Sequence, residues 1–489
     1  MVFSSHLFVF YFLPVALALY YVCPMRGRQL LLVLLSYVFY GWANPWFVFL
    51  MLFSTLLNYG SGQWISGRWR MPYLGRGEPA GRGLPPVAQR KTALVICVVL
   101  NLALLGFFKY LGFVQANINY VLELFGRTPA EVYKVALPAG ISFYTFKAMS
   151  YSLDVYQGVA RPARGPLGFA CYVALFPQLV AGPIGRYRDL AEQLGQRSHT
   201  LEKFGCGVFF FALGMVKKVL LADPMGQVAD TAFGAGLLPW YDAWAGATAY
   251  AFQIYFDFSG YSDMATGLGL MLGFEFKRNF NLPYLSQSIT EFWRRWHISL
   301  SNWLQDFVFM PLTRRLMHTK LRGKGHAIPW IGYLAIFLLC GLWHGAAWTF
   351  VVWGALHGVA ICLERLNGRK PIYSGLPQTG RVLATFVVVL FTWVFFRATT
   401  FHGAMAYIGS MLGLVTPSSS AGLVPGLIYQ PQYILVAAIC VLVHVFRLDT
   451  WDLAQELCPR KVAFAGLGLA LSVAMLFCQS YNPFLYFRF

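Results

Sequence analysis

Apolar residues in this chain gather into long runs with almost no charge, and short charged loops separate the runs. The first run, Met1 to Cys23, reads MVFSSHLFVFYFLPVALALYYVC. It has neither a basic start nor a small-residue cleavage site, so it predicts a first membrane span rather than a signal peptide. Further runs of spanning or near-spanning length fall near residues 29–43, 45–65, 92–114, 132–150, 166–183, 204–222, 243–256, 262–275, 327–343, 346–363, 382–396, 402–415, 432–446 and 462–478. Several are short or joined by Pro and Gly, which predicts half-helices or re-entrant segments among them. The rule of roughly 20 residues per span gives about eleven to thirteen crossings. The pattern therefore predicts an all-α polytopic membrane protein. One transmembrane domain covers 1–478, and a short tail covers 479–489.

Loop charge predicts the orientation. Arg68, Arg70, Arg76, Arg82, Arg90 and Lys91 crowd residues 66–91 against one acid, Glu78. Arg314, Arg315, Lys320, Arg322 and Lys324 mark a second basic loop, and Arg365, Arg369, Lys370 and Arg381 a third. Basic loops stay cytoplasmic. Residues 223–242 carry Asp223, Asp230 and Asp242 without a base, and 414–432 carry no charge, so both are expected outside. Counting spans from 369 onward then puts the C-terminal tail on the outer side.

Composition narrows the class further. The chain has 489 residues, 58% hydrophobic, 17% aromatic and 12% charged, against about 25% charged in soluble domains. Mean hydropathy is +0.56. This excludes an ordinary cytosolic enzyme and a disordered chain. The net charge of +19 would suggest nucleic acid in a soluble protein, but cytoplasmic loop charge accounts for it here, and no nucleic-acid partner is expected. Nine scattered cysteines include no Cys-x-x-Cys pair, so neither a zinc site nor a redox pair is indicated.

Ionisable groups at membrane depth are expensive and mark candidate chemistry. His344 sits in CGLWHGAAW between Gly341 and Gly345. Glycines permit close approach of a backbone or ligand, and a neutral imidazole can take a proton from a hydroxyl. A histidine merely hydrogen-bonded between helices fits the same spacing. A second region, QSITEFWRRWHISLSNWLQD (287–306), places Trp293, Trp296, Leu300, Trp303 and Phe307 on one helical stripe. Glu291, Arg295, Asn302 and Asp306 form its polar face, with Glu291 and Arg295 at i,i+4, Thr290 as a cap, and His297 and Ser301 one turn apart. An interfacial anchor and a functional element both fit. In YFDFSGYSDM (255–264), Asp257 and Asp263 are expected to pair with Arg294 or Arg295, or to cap half-helices, with a carboxylate acid/base pair as the sharper alternative. The tail ends SYNPFLYFRF. It reads either as an aromatic belt at the interface or as a segment that presents the Tyr486 hydroxyl in a pocket. No Gly-x-Ser-x-Gly elbow, His-Glu-x-x-His helix or Walker loop occurs. An ion-coupled transporter stays open.

The segments LPAGISFYTF (137–146), FPQLVAGPI (176–184), YFDFSGYSDMA (255–265), ITEFWRRWHISLSNWL (289–304), GLWHGAAWTF (341–350) and WGALHG (353–358) resemble the membrane-bound O-acyltransferase (MBOAT) family, in particular its bacterial branch serving alginate O-acetylation. The resemblance runs nearly end to end. It implies an MBOAT-like bundle around a central tunnel in the bacterial inner membrane. By it, His344 is the catalytic histidine and His297 a second important histidine; Trp343, Asn302, Asp257 and Arg295 are expected to bind substrate beside them. It also implies acetyl-CoA as the acetyl donor, no resident cofactor or metal, an exported polysaccharide as the destination, and a periplasmic SGNH-hydrolase-like partner. FLYFRF further resembles the end of a small acyl-relay peptide of teichoic-acid D-alanylation, which implies that Tyr486 carries the acyl group on a periplasmic tail. The competing expectation is a transporter, or a scaffold subunit without chemistry of its own.

Overall fold

A computed structural model describes residues 1–69, 84–133, 135–319, 327–479, 481 and 485. Arg70, Arg76, Glu78, Arg82, Lys320, Arg322, Lys324 and Tyr486 lie outside the described residues. Every regular element among the described residues is a helix, as the runs predict. Five helices are long and apolar enough to cross a bilayer: Val87–Leu124, Leu201–Gly234, Trp348–Leu366, Gln378–Arg397 and Pro459–Cys478. A pair bent by 67°, Ala421–Ile428 with Pro431–Val445, makes a sixth if it is one span. Shorter apolar helices cover Leu7–Val22, Arg28–Gly41 and Ile328–His344. Fewer helices meet the length rule than there are apolar runs, because a run is not always one rod. The runs at 243–256 and 262–275 fuse into the single helix Trp240–Met271, and the run at 166–183 splits into Pro166–Ala174 and a tight turn at Phe176–Gln178.

Contacts divide the chain into two compact units. Met1–Gly205 with Leu268–Phe276 form the first. Its core holds an aromatic cluster of Phe3, Phe8, Phe12, Phe39 and Phe176, with ring centroids 4.9–5.9 Å apart for most pairs. A buried amide knot joins three helices. Asn101 Oδ1 accepts from Ser54 Oγ at 2.9 Å and Asn58 Nδ2 at 3.2 Å, and Asn58 Oδ1 accepts from Ser152 Oγ at 3.0 Å. Such polar groups survive in an apolar interior only because each is hydrogen-bonded.

Cys206–Gly267 with Lys277–Phe489 form the second unit, which contains both candidate histidines. The π-helical stretch Val216–Ala222 interrupts the helix Leu201–Gly234, and its wider turn shifts the register of the helix C-terminal to it. Lys217 and Lys218, adjacent in sequence, both reach inward to carboxylates of the unit. Lys217 Nζ lies 2.7 Å from Asp263, and Lys218 Nζ lies 2.5 Å from Asp223 and 3.0 Å from Asp257. This corrects the expected pairing of Asp257 and Asp263 with Arg294 or Arg295. It also places Asp223 and Asp242 in the buried interior rather than in an acidic loop. An ammonium beside Asp223, Asp257 and Asp263 offsets a desolvation that neither ion would survive alone.

The helices Ala327–His344 and Trp348–Leu366 pack backbone to backbone. A Cβ on Gly341 would lie 2.2 Å from the Phe350 carbonyl oxygen, and one on Gly354 would lie 2.1 Å from that of Phe337. The glycines flanking His344 therefore admit a neighbouring helix rather than a ligand. Gly345 likewise faces the Phe350 ring, 2.0 Å from a built Cβ. Gly354→Ala is expected to force this pair apart at a cost of about 1–3 kcal/mol, as overpacking does. Thermal unfolding in detergent checks it, with Gly466→Ala, whose Cβ would meet nothing within 4 Å, as the control that leaves the midpoint unchanged.

Candidate active site

The aromatic stripe expected on one helix over 289–307 is broken in the middle. The helix Ile289–Arg295 ends at Trp296, His297 takes a left-handed conformation (φ 43°, ψ 54°), and a new helix runs over Ile298–Leu304 before a π-turn at Gln305–Phe309. A non-glycine residue in that region is uncommon and needs support from its surroundings. The passing segment 279–281 supplies it. Asn281 N–H donates to the Arg295 carbonyl and Ile298 N–H donates to the Asn279 carbonyl, both at 2.9 Å. The side-chain oxygen of Asn279 then caps the second helix by accepting from Ser299 N–H at 3.1 Å and Ser299 Oγ at 2.8 Å.

That cap settles the state of His297. A backbone N–H only donates, so Asn279 presents its oxygen. His297 Nδ1, 3.2 Å from the same oxygen, must then carry the proton and donate. The neutral ring is left with its lone pair on Nε2, which can accept from a hydroxyl but cannot donate to an oxyanion. His297 is 0% exposed, and its ring packs edge-on against Phe258 at 4.7 Å.

The first helix start is tied down as firmly. Ser288, not Thr290, is its cap residue and accepts from Glu291 N–H at 3.0 Å. The buried Glu364 carboxylate reaches over from the helix Trp348–Leu366. It accepts from Ile289 N–H at 2.6 Å, Thr290 N–H at 2.9 Å and Thr290 Oγ1 at 2.6 Å. A carboxylate at a helix N-terminus satisfies free donors and meets the positive end of the dipole. Arg295 pairs with Glu291 at 2.6 Å, as the i,i+4 spacing predicts, and also donates to the Asn281 carbonyl at 3.3 Å.

His344 is the last residue of its helix and is buried. Trp343 (4.9 Å), Trp353 (5.2 Å) and Phe396 (5.2 Å) surround its imidazole, all near perpendicular to it. Trp343 also meets the His297 ring at 6.0 Å, so the two histidines flank one indole. A third histidine went unnoticed in the sequence, although WGALHG contains it. His357 is fully buried, 5.0 Å from Trp353, and its Nδ1 accepts from Trp293 Nε1 at 3.2 Å. Trp353 thus separates His344 from His357 as Trp343 separates His344 from His297.

One turn before His344, Cys340 lines a cavity of about 260 Å³. Trp293 and Phe337 give it an apolar wall, while Arg294, Asn302, Gln305 and Arg365 make it polar. The Arg365 guanidinium also donates to the Tyr333 hydroxyl. Of the expected substrate-side residues, Trp343 joins the histidines and Asn302 lines this cavity. Arg295 braces the segment that caps His297. Asp257 binds Lys218, although the next residue, Phe258, packs on His297. Among the described residues no group of three or more His, Cys, Asp or Glu could hold a metal ion.

Comparison with known proteins places these features in a lineage. The model of the membrane-bound O-acyltransferase family matches residues 163–401. The probable alginate O-acetylase AlgI of Azotobacter vinelandii is 39% identical over 531 aligned residues, covering 100% of both chains. Its namesake in Pseudomonas putida is 41% identical over 511, again covering 100% of both. The peptidoglycan O-acetyltransferase of Helicobacter pylori is 29% identical, covering 100% of this chain and 98% of that one.

Asn279→Ala is expected to release His297 from its left-handed turn and lower turnover at least tenfold. The loss of a buried acceptor is worth about 1–3 kcal/mol. Asn279→Asp, which keeps the acceptor oxygen, should retain more activity than Asn279→Ala in acyl-transfer assays on the purified proteins.

Proposed function

The chain belongs to the membrane-bound O-acyltransferase family and is an acyltransferase of the membrane, and from that premise we propose that it moves acetyl from cytosolic acetyl-CoA onto an exported polysaccharide. The observation that carries the reading is the placement of His344 at a helix end, beside Trp343 and His297 and one turn from an arginine-bearing cavity. Arg294 and Arg365 suit the phosphates of a nucleotide-linked thioester, since guanidinium binds phosphate in a forked, bidentate way. The apolar wall suits the thioester arm.

In the proposed mechanism His344 takes the proton of an acceptor hydroxyl, that of Tyr486. A phenol of pKa about 10 is neutral at working pH and needs such a base. The phenolic oxygen bonds to the thioester carbonyl carbon, the C–S bond breaks, and the thiolate leaves with the proton that His344 held. Tyr486 then carries an acetyl ester. A second hydroxyl, on a periplasmic SGNH-hydrolase-like partner or on the sugar itself, attacks that ester and restores the tyrosine. Covalent relay divides one transfer across the bilayer into two steps. His297, with its lone pair on Nε2, suits the role of hydrogen-bond acceptor that orients the incoming hydroxyl. Alginate is the first polymer to test, because the relatives from Azotobacter vinelandii and Pseudomonas putida carry its name, and peptidoglycan is the second. The tail is read as periplasmic and the membrane as the bacterial inner membrane.

His344→Ala is expected to abolish polymer acetylation, by 10² to 10⁴-fold or more, in protein that still inserts. Release of free CoA from acetyl-CoA, followed with a thiol reagent in proteoliposomes, should stop with it. Substrate movement without thioester consumption would make the protein a transporter instead. Tyr486→Phe removes a single oxygen and should block polymer acetylation as fully. Normal acetylation by that variant would leave the tail an anchor.

A further inference from the structure

Three described residues C-terminal to the last helix, Gln479, Tyr481 and Leu485, rest on carboxylates. Gln479 Nε2 donates to Asp223 Oδ2 at 3.5 Å, the Tyr481 hydroxyl donates to Asp230 Oδ2 at 2.7 Å, and the backbone N–H of Leu485 donates to Asp257 Oδ2 at 3.0 Å. Each of these acids is also held by a cation. Lys218 sits between Asp223 and Asp257, and Arg397 lies 2.6 Å from Asp230. The helix Asp223–Gly234 is bare where the tyrosine lands, since a Cβ on Gly226 would lie 2.8 Å from the Tyr481 hydroxyl oxygen. Leu485 and Asp257 are each 2% exposed.

Charge explains why the tail is wanted there. Two carboxylates share one ammonium, and a buried carboxylate oxygen demands further donors. The Leu485 N–H is such a donor. Every non-proline residue has such a donor, so the register is chosen by side chains, by the Gln479 amide, the Tyr481 hydroxyl and the buried Leu485, and the Leu485 N–H then holds it. Lys218 occupies the other oxygen of Asp257 at 3.0 Å, which keeps the accepting oxygen aimed.

We propose that Asp257, held by Lys218, is a positioning residue that locks the tail in one register and so presents the residue after Leu485 for acyl transfer. This rests on the relay reading of Tyr486, and the test separates the two. Full-length protein in nanodiscs is followed by amide hydrogen exchange of the tail. It is also followed, after addition of acetyl-CoA, by the ratio of acetyl-Tyr486 formed to thiol released. Asp257→Ala is expected to speed exchange at Leu485 at least tenfold and to lower that ratio at least tenfold, because water then takes the acetyl group as acetate while the thiol is still released. A role in general folding alone would lower both chemical quantities together and leave their ratio unchanged, which overturns the proposal. Leu485→Pro removes the donor together with the buried leucine side chain and leaves the buried ions in place, so it serves where Asp257→Ala does not fold, with Leu485→Ala, which keeps the N–H, as its control. Leu485→Pro should lower the ratio equally, and an unchanged ratio again overturns the proposal. If the unaltered chain shows slow exchange at Leu485, lost in Asp257→Ala, yet never carries acetyl on Tyr486, the latch stands and the relay reading falls.

Discussion

A helix that stops inside an apolar medium leaves backbone donors and acceptors that no water can take. The second unit depends on how that cost is met at His297. The break is useful because it turns the imidazole out of the stripe of tryptophans and toward Trp343. It is possible only because the segment 279–281 supplies backbone partners on both sides of the break, and Asn279 supplies a cap. Glu364 does the same for the preceding helix start. The turn at His297 and the helix start before it are thus fixed by Asn279 and Glu364, each of which satisfies buried N–H groups.

The sequence made the class legible because class is a matter of bulk. Fifty-eight per cent hydrophobic residues in long runs admit little but a helical membrane protein, and the long motifs around His297 and His344 led to the family. The finer geometry was less legible, for physical reasons. Helical periodicity predicted one stripe through Trp296 and Leu300, because periodicity carries no information about a segment elsewhere that competes for the backbone. Asn279 looked like an ordinary loop residue. His357 lay inside a motif read only as a likeness. Lys217 and Lys218 did carry a signal, since two lysines inside an apolar run require acids nearby. Weighing charges within runs, rather than between them, would have paired them with Asp257 and Asp263 before any arginine.

Two kinds of glue divide the work. Around the histidines the contacts are aromatic. Trp343, Trp353 and Phe396 meet the His344 ring edge-on, a geometry that aromatic quadrupoles favour and that fixes orientation without spending a polar group. Around the tail the contacts are ionic, and every acid has a cation. A chain segment that must sit in one register gains from the second kind, because charge-assisted hydrogen bonds are the strongest and most directional available.

The position of His344 at the end of its helix bears on the chemistry as well as on the packing. On the proposed reading the ring becomes briefly cationic when it takes a hydroxyl proton. The carbonyl end of the helix Ala327–His344 faces that charge, an interaction worth about 0.3–1 kcal/mol at a surface and up to about 2 when partly buried. It does not exist for the neutral ring to the same degree, so it favours the state in which the proton has moved over the state before it. The same residue one turn earlier, at Cys340, would face the cavity but lose the helix end. The glycines on either side of His344 matter for this reason. They let Phe350 pack close enough to end one helix at residue 344 and start the next at 348, and so they set where the dipole terminates.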